Sequence, residues 1–139
     1  MRREQRAMRE NIALGKSTKF AIRIINLYKF LCTNQQEFVL SKQILRSGTS
    51  IGANISEADC AITKSDFLAK IYIAYKECSE TLYWLRLLKE TDYIDNKSYN
   101  SMTRDCKELI RMLAATTKTT EKNIKPEQNT KKKKHDDKK

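Results

Sequence analysis

Turn-forming residues are almost missing from this chain: its 139 residues include one proline and three glycines. A β architecture of many short strands needs such residues at every reversal, so that class is excluded and an all-α domain is expected. Histidine is equally scarce. The single one, His135, stands in a lysine run, which rules out the Glu-x-x-His pairs of a di-iron bundle core and an Arg/His ribonuclease pair on one helix. The four cysteines, Cys32, Cys60, Cys78 and Cys106, lie 18 to 28 residues apart and form no Cys-x-x-Cys unit, so zinc-ligand spacing is absent. They read as reduced, mostly buried thiols of a cytoplasmic protein. No apolar run approaches the roughly 18 residues of a membrane span, and the opening MRREQRAMRENIALGKS has no apolar leader region. Neither export nor membrane insertion is expected, and the inventory implies no metal, cofactor or catalytic residue.

Positive charge is what the chain has in excess, with 28 Lys and Arg against 17 Asp and Glu, a net +11. Residues 118–139 hold nine lysines against four acids, and the preceding 117 residues hold 19 basic against 13 acidic side chains. Such a balance favours an anionic partner, nucleic acid first and an acidic protein or membrane surface behind it, with solubility alone as the plainest alternative. Two groups are candidate phosphate contacts. Arg2, Arg3, Arg6 and Arg9, with Lys16, Lys19 and Arg23 close behind, gather at one end of the first helix; Lys131, Lys132, Lys133 and Lys134 form an arm near the C-terminus. Contacts of this kind carry no base preference and are sensitive to salt.

Periodicity supplies the fold. Phe67, Ile71, Ala74, Cys78, Thr81, Leu85 and Leu88 recur at alternating steps of four and three, the stripe of a helix packed in a bundle; Ser65 or Asp66 is the expected cap. Phe20, Ile24, Leu27 and Leu31 repeat the steps in a helix expected from about Ser17, as N-cap, to Thr33. Tyr99, Met102, Cys106, Leu109 and Leu113 repeat them from about Asn96 to Thr117. Leu40, Ile44, Ser47, Ile51, Asn54 and Ala58 do so in the remaining segment, with Ile55 and Ile62 widening the stripe. The short links around residues 34–37, 63–65 and 91–95 make neighbours antiparallel, giving an up-down-up-down four-helix bundle over 16–117. Residues 1–15 form a basic segment that is loose or extends the first helix, and 118–139 are expected to be a disordered lysine-rich tail.

Two of the three glycines fall inside the second helical pattern, in RSGTSIGANISEA. The pattern runs through them in phase, so this is a slim helix, with Gly48 and Gly52 letting another backbone come close. A phosphate loop is excluded, because no strand precedes it and the GxxxxGK[ST] order is lacking. Asn54 and Glu57, if inside, need partners, for which Tyr75, Lys76, Glu80 and Tyr83 are candidates. The third helix also carries a surplus apolar face, Tyr72, Ile73, Tyr83, Trp84 and Leu87, which predicts a second buried contact. Glu77 and Glu80 lie three apart with no companion acid elsewhere, and read as solvated or hydrogen-bonded side chains rather than a catalytic pair.

The run LRSGTSIGANISEADCAITKSDFLAKIYIAYKECSETLYWLRLL resembles the four-helix-bundle proteins encoded in intervening sequences of bacterial large-subunit ribosomal RNA. The family's Ser-Ile-x-x-Asn-Ile-x-Glu core matches Ser50, Ile51, Asn54, Ile55 and Glu57, and the Asp66–Phe67, Ile73–Ala74 and Glu77–Leu82 segments follow it. Gly52, and Ala58 where the family has glycine, are departures. The likeness extends from about Asn11 to Leu113. It implies a homopentameric barrel of bundles with a basic surface, the apolar face of Tyr72, Tyr83, Trp84 and Leu87 lying between copies. One branch of this family, the accessory variability proteins of diversity-generating retroelements, implies binding to a reverse transcriptase and to nucleic acid; nothing in the residues separates that branch from the ribosomal RNA branch. The expected function is a non-enzymatic, oligomeric nucleic-acid-binding accessory protein, and the competing one is a scaffold for another polypeptide.

Overall fold

The computed structural model describes residues 3–136, and their side chains over 12–124. Four helices, α1 (Arg3–Asn34), α2 (Leu40–Asp59), α3 (Lys64–Glu90) and α4 (Asn96–Asp136), follow one another with no strand among the described residues. Each packs on its sequence neighbour, and α1 also meets α4, which closes an up-down-up-down bundle.

The reversals are held by side-chain caps. α3 starts at Thr63, whose hydroxyl accepts from the Asp66 N–H at 3.0 Å, so the cap falls two residues before Ser65, the earlier of the two expected positions. α2 gets no side-chain cap from the residue that precedes it, Val39. Instead the nearly buried Glu37 carboxylate accepts from the N–H groups of Val39 at 2.7 Å and Ser41 at 3.0 Å, satisfying two of the donors a helix start leaves over. Asp95 accepts from the Ser98 N–H at 2.7 Å to begin α4, and that bond holds its carboxyl below the ordinary aspartate value. Gln36 and Asp92 take positive φ, 52° and 66°, in the α1–α2 and α3–α4 reversals, where short polar or flexible residues carry a conformation usually left to glycine.

Two boundaries differ from the periodicity. α1 begins at Arg3, so Ser17 is mid-helix and not a cap. It is fully buried and donates to the Leu14 carbonyl at 2.8 Å, a bond within the helix that lets a small polar residue occupy a core position. The stripe of Phe20, Ile24, Leu27 and Leu31 therefore extends back through Ser17 to Ala13, which is also buried. At the other end α4 continues past Thr117, the expected end of the bundle helix, and Thr117 and Thr120 are both buried; the threonine hydroxyls bond back to carbonyls three or four residues earlier, which lets polar residues be buried in a stretch poor in apolar ones.

α2 runs without a break through Gly48 and Gly52, and no glycine has positive φ. A Cβ at Gly48 would lie 2.7 Å from Cγ1 of Ile24, and one at Gly52 would lie 3.0 Å from the Ser17 hydroxyl and 3.7 Å from the Ser17 backbone carbon. The glycines thus seat α1. On the α3 side of the same helix, the buried Ser47 and Thr81 hydroxyls are hydrogen-bonded at 2.9 Å, and Thr81 also bonds the Glu77 carbonyl at 2.8 Å. The core around them is Phe20, Ile24, Leu31, Ile44, Ile51, Leu85, Leu88, Leu109 and Leu113.

Several expected core residues lie elsewhere. Glu57 is exposed and pairs with Lys70 at 2.7 Å. Half-buried Asn54 donates to the Ser50 carbonyl of its own helix at 2.8 Å. Neither reaches the partners expected for it; each finds one along or beside the helix, at less desolvation cost than in the core. Ile62 is 95% exposed in the α2–α3 turn, past the helix end where the stripe has no further meaning. Cys78 and Cys106 are buried, but Cys32 is half-buried and Cys60 exposed. A hydrogen bond with Cys106, then burial, pushes the Cys78 thiol far above its ordinary range, so Cys78 stays protonated, and both buried cysteines pack as apolar filler.

Candidate nucleic-acid interface

Helical phase sorts the charges of α4 by face. Lys97, Arg104, Arg111 and Lys118 stand seven residues apart, with Lys107 and Lys122 between and beyond, and all six are exposed. Seven residues is close to two turns, so they form one stripe. Asn100 and Ala115 fill the remaining stripe positions, so no acid interrupts it. At 1.5 Å per residue the stripe from Lys97 to Lys122 is about 37 Å long.

The acids of the same stretch of α4 point to its neighbours. Asp105 takes Arg23 of α1 at 2.5 Å, and Glu108 takes Lys16. Arg23 also donates to Ser101 at 2.9 Å. Glu121 accepts from the Tyr72 hydroxyl of α3, a bond that raises the tyrosine's pKa. Two of the cations expected to meet phosphate, Lys16 and Arg23, are therefore in ion pairs between helices, while Lys19 is exposed. Arg3, Arg6 and Arg9 belong to the first turns of α1; their side chains, with Arg2 and the Lys131, Lys132, Lys133 and Lys134 arm, lie outside the described side chains.

Two surface grooves can be compared as anion sites. One, of about 570 Å³, opens where Leu27 and Phe30 of α1 face the α3–α4 turn, and it is bordered by Asp92 and Asp95 and by one cation, Arg23, which Asp105 already pairs. Its carboxylates repel phosphate. The other, of about 320 Å³, is shallow and bordered by Tyr99, Asn100, Thr103, Arg104, Lys107 and Arg111. It lies on the stripe, three of its six residues are cations, and none is acidic. Lys89 of α3 adds a further positive charge beside it, its amine 4.7 Å from the Tyr99 ring centre.

The Glu77 and Glu80 pair is tied up. Arg46 of α2 bridges both, at 3.3 Å to Glu77, and the Trp84 indole donates to Glu80 at 3.2 Å. Both carboxylates are thus committed to partners within the bundle. Trp84 and Leu87 are half-buried, and Trp84 packs on the core; Tyr72, Ile73 and Tyr83 remain 39%, 40% and 55% exposed. The family-motif residues Ser50, Ile51, Gly52, Asn54, Ile55 and Glu57 all lie on α2. Ile51 and Ile55 are in the core, and Gly52 meets α1, so this motif records packing. Among the described residues no helix is long and apolar enough to cross a membrane, and no three His, Cys, Asp or Glu side chains are grouped to hold a metal.

The basic stripe was not anticipated from the sequence, although its signal was there in the seven-residue spacing of cations. Along the segment Asp105, Glu108 and Glu121 offset the positive charge, whereas on the outward face they do not.

Residues 9–115 match the model of a family described as 23S rRNA-intervening sequence protein, within a few residues of the extent expected from the motif. Among solved structures the chain is similar to a protein of unknown function from the S23 ribosomal protein family of Bacteroides thetaiotaomicron. The two are 53% identical, the match covers 79% of this chain and 98% of that one, and the TM-score is 0.78. No curated protein matches.

Proposed function

The chain belongs to the 23S rRNA-intervening sequence protein family, and from that starting point we propose that it is a non-enzymatic, oligomeric accessory protein that binds nucleic acid through the outward face of α4. One observation carries the reading: six exposed cations share a face on which no acid stands. Oriented cations of this number supply non-specific affinity through counterion release, and they neither need nor give base readout. A reverse transcriptase is a further partner under this reading. The exposed Tyr72, Ile73 and Tyr83 on α3 support self-assembly through that face, and for a pentamer light scattering should give a mass close to five times 16.2 kDa.

Salt-dependent binding tests the main claim. With six contacts on duplex DNA, log K should fall against log salt with a slope of roughly −5. Replacing Arg104, Lys107 and Arg111 together by glutamate should remove about three contacts and reduce the slope by about 2.7. A flat salt response, or a triple variant that binds as the parent does, overturns it. The exposed tyrosines also favour a second reading, a scaffold for another polypeptide; binding to a purified reverse transcriptase that persists after nuclease treatment and in the triple variant would favour it.

A further inference from the structure

We infer that the α4 stripe takes double-stranded nucleic acid lengthwise, along about one helical turn and through its phosphates alone; this rests on the nucleic-acid reading above. Three features lead there. First, the cations follow a single unbroken helix for about 37 Å, and a duplex turn is about 34–36 Å. Second, the outward face carries no ring on which an unpaired base could stack. Its stripe positions are Lys, Arg, Asn and Ala, and the nearby Tyr99 is half-buried with the Lys89 amine over its ring. Proteins that hold single strands combine a basic groove with such stacking platforms. Third, a site limited to phosphates depends on charge density. Each contact releases about 0.9 counterion from B-form duplex and about 0.7 from a single strand.

The consequence can be given a size. For six contacts the expected slopes of log K against log salt are about −5.4 on duplex and −4.2 on a single strand. If phosphate contacts are the whole interaction, the two affinities converge near 1 M salt, and the difference in slope makes duplex about 15-fold tighter at 0.1 M. Between 50 and 200 mM salt the duplex complex should weaken about 1800-fold and the single-strand complex about 340-fold. No groove edge is read, so DNA and RNA duplexes of one sequence should bind within a few-fold of each other.

Fluorescence anisotropy of the full chain with labelled 24-nucleotide single strands and 24-bp duplexes, each as DNA and as RNA, separates the outcomes. Duplex preference in both chemistries, with the steeper slope, supports lengthwise docking. Single strands bound as tightly as duplex overturn it while the broader nucleic-acid reading stands. A preference above tenfold for one kind of duplex overturns the phosphate-only contact. Binding to none of the four overturns the broader reading as well. Lys97→Glu and Lys122→Glu, at the two ends of the stripe, should each reduce the duplex slope by about 0.9; loss from one end only would mean that the duplex does not lie along the helix.

Discussion

Replacing Gly48 by alanine tests the packing on which the bundle rests. The new methyl would lie 2.7, 2.8 and 3.0 Å from Cγ1, Cγ2 and Cδ1 of Ile24, distances at which carbon atoms overlap. Ile24 is fully buried, and as a β-branched residue in a helix it has essentially one χ1 rotamer, so it cannot swing away. Overpacking of this kind costs about 1–3 kcal/mol. Alanine in place of glycine returns about 1 kcal/mol of helix propensity, leaving a net loss near 1 kcal/mol, or about 4 °C in Tm for a domain of this size. Gly15→Ala is the control, because a Cβ there meets nothing within 4 Å and should stabilise by up to about 1 kcal/mol. A double-mutant cycle isolates the contact. Ile24→Ala alone should cost about 2–5 kcal/mol, but in its background Gly48→Ala should become stabilising by about 1 kcal/mol, a coupling of about 2 kcal/mol. Thermal and urea unfolding supply all four corners. The reasoning is refuted if Gly48→Ala raises Tm as Gly15→Ala does, or if its penalty is the same in both backgrounds.

Thr81→Val keeps the shape but removes the hydroxyl bonded to Ser47 and the Glu77 carbonyl; urea unfolding should show a loss of about 1–2 kcal/mol, from partners left buried. Asp95→Ala should lower Tm at neutral pH. The Asp95 carboxyl is held below its ordinary value of 3.8 by the Ser98 N–H, so its contribution is present above that value and is lost as pH falls through the lower folded value. Parent and variant melting curves should therefore converge on acidification below about pH 4. Arg46→Met leaves Glu77 and Glu80 without their shared cation; calorimetry should register a loss of at most about 1 kcal/mol, shrinking as salt is added, because Arg46 is half exposed.

Residues that repeat in phase were legible, since a stripe of apolar side chains has one way to be buried. All seven stripe positions of α3, from Phe67 to Leu88, are buried, and α2 holds its helix through the glycines. What escaped periodicity was whatever depends on a neighbour. Ser17 looks like a cap in isolation, and its place opposite Gly52 becomes visible only when α1 lies on α2. Asn54 falls in the stripe by phase and Glu57 stands beside it, yet both sit at the flank, where a carbonyl or a lysine is within reach. Caps escaped for the same reason: Glu37 stabilises α2 from outside the helix, by folding back from the turn.

The ion pairs between α1 and α4 connect the fold to the proposed surface. A helix bearing Arg104, Asp105, Lys107, Glu108 and Arg111 in succession is nearly balanced when counted along the chain. Asp105 and Glu108 lie on the flank that α1 approaches, where they bind Arg23 and Lys16. Pairs as exposed as these add little stability. Their larger effect is on the distribution of charge. Each removes a carboxylate from the field in front of α4 and uses up a cation of α1, so positive potential is concentrated on one outward line of the bundle instead of being spread around it. Without that packing, the acids of α4 would be free to rotate toward a bound phosphate and oppose it. Helical phase keeps acids off the outward face of α4, and antiparallel association of the first and last helices neutralises the acids on its flank; a change that loosens α1 from α4 would therefore weaken anion binding even with every cation of the stripe in place.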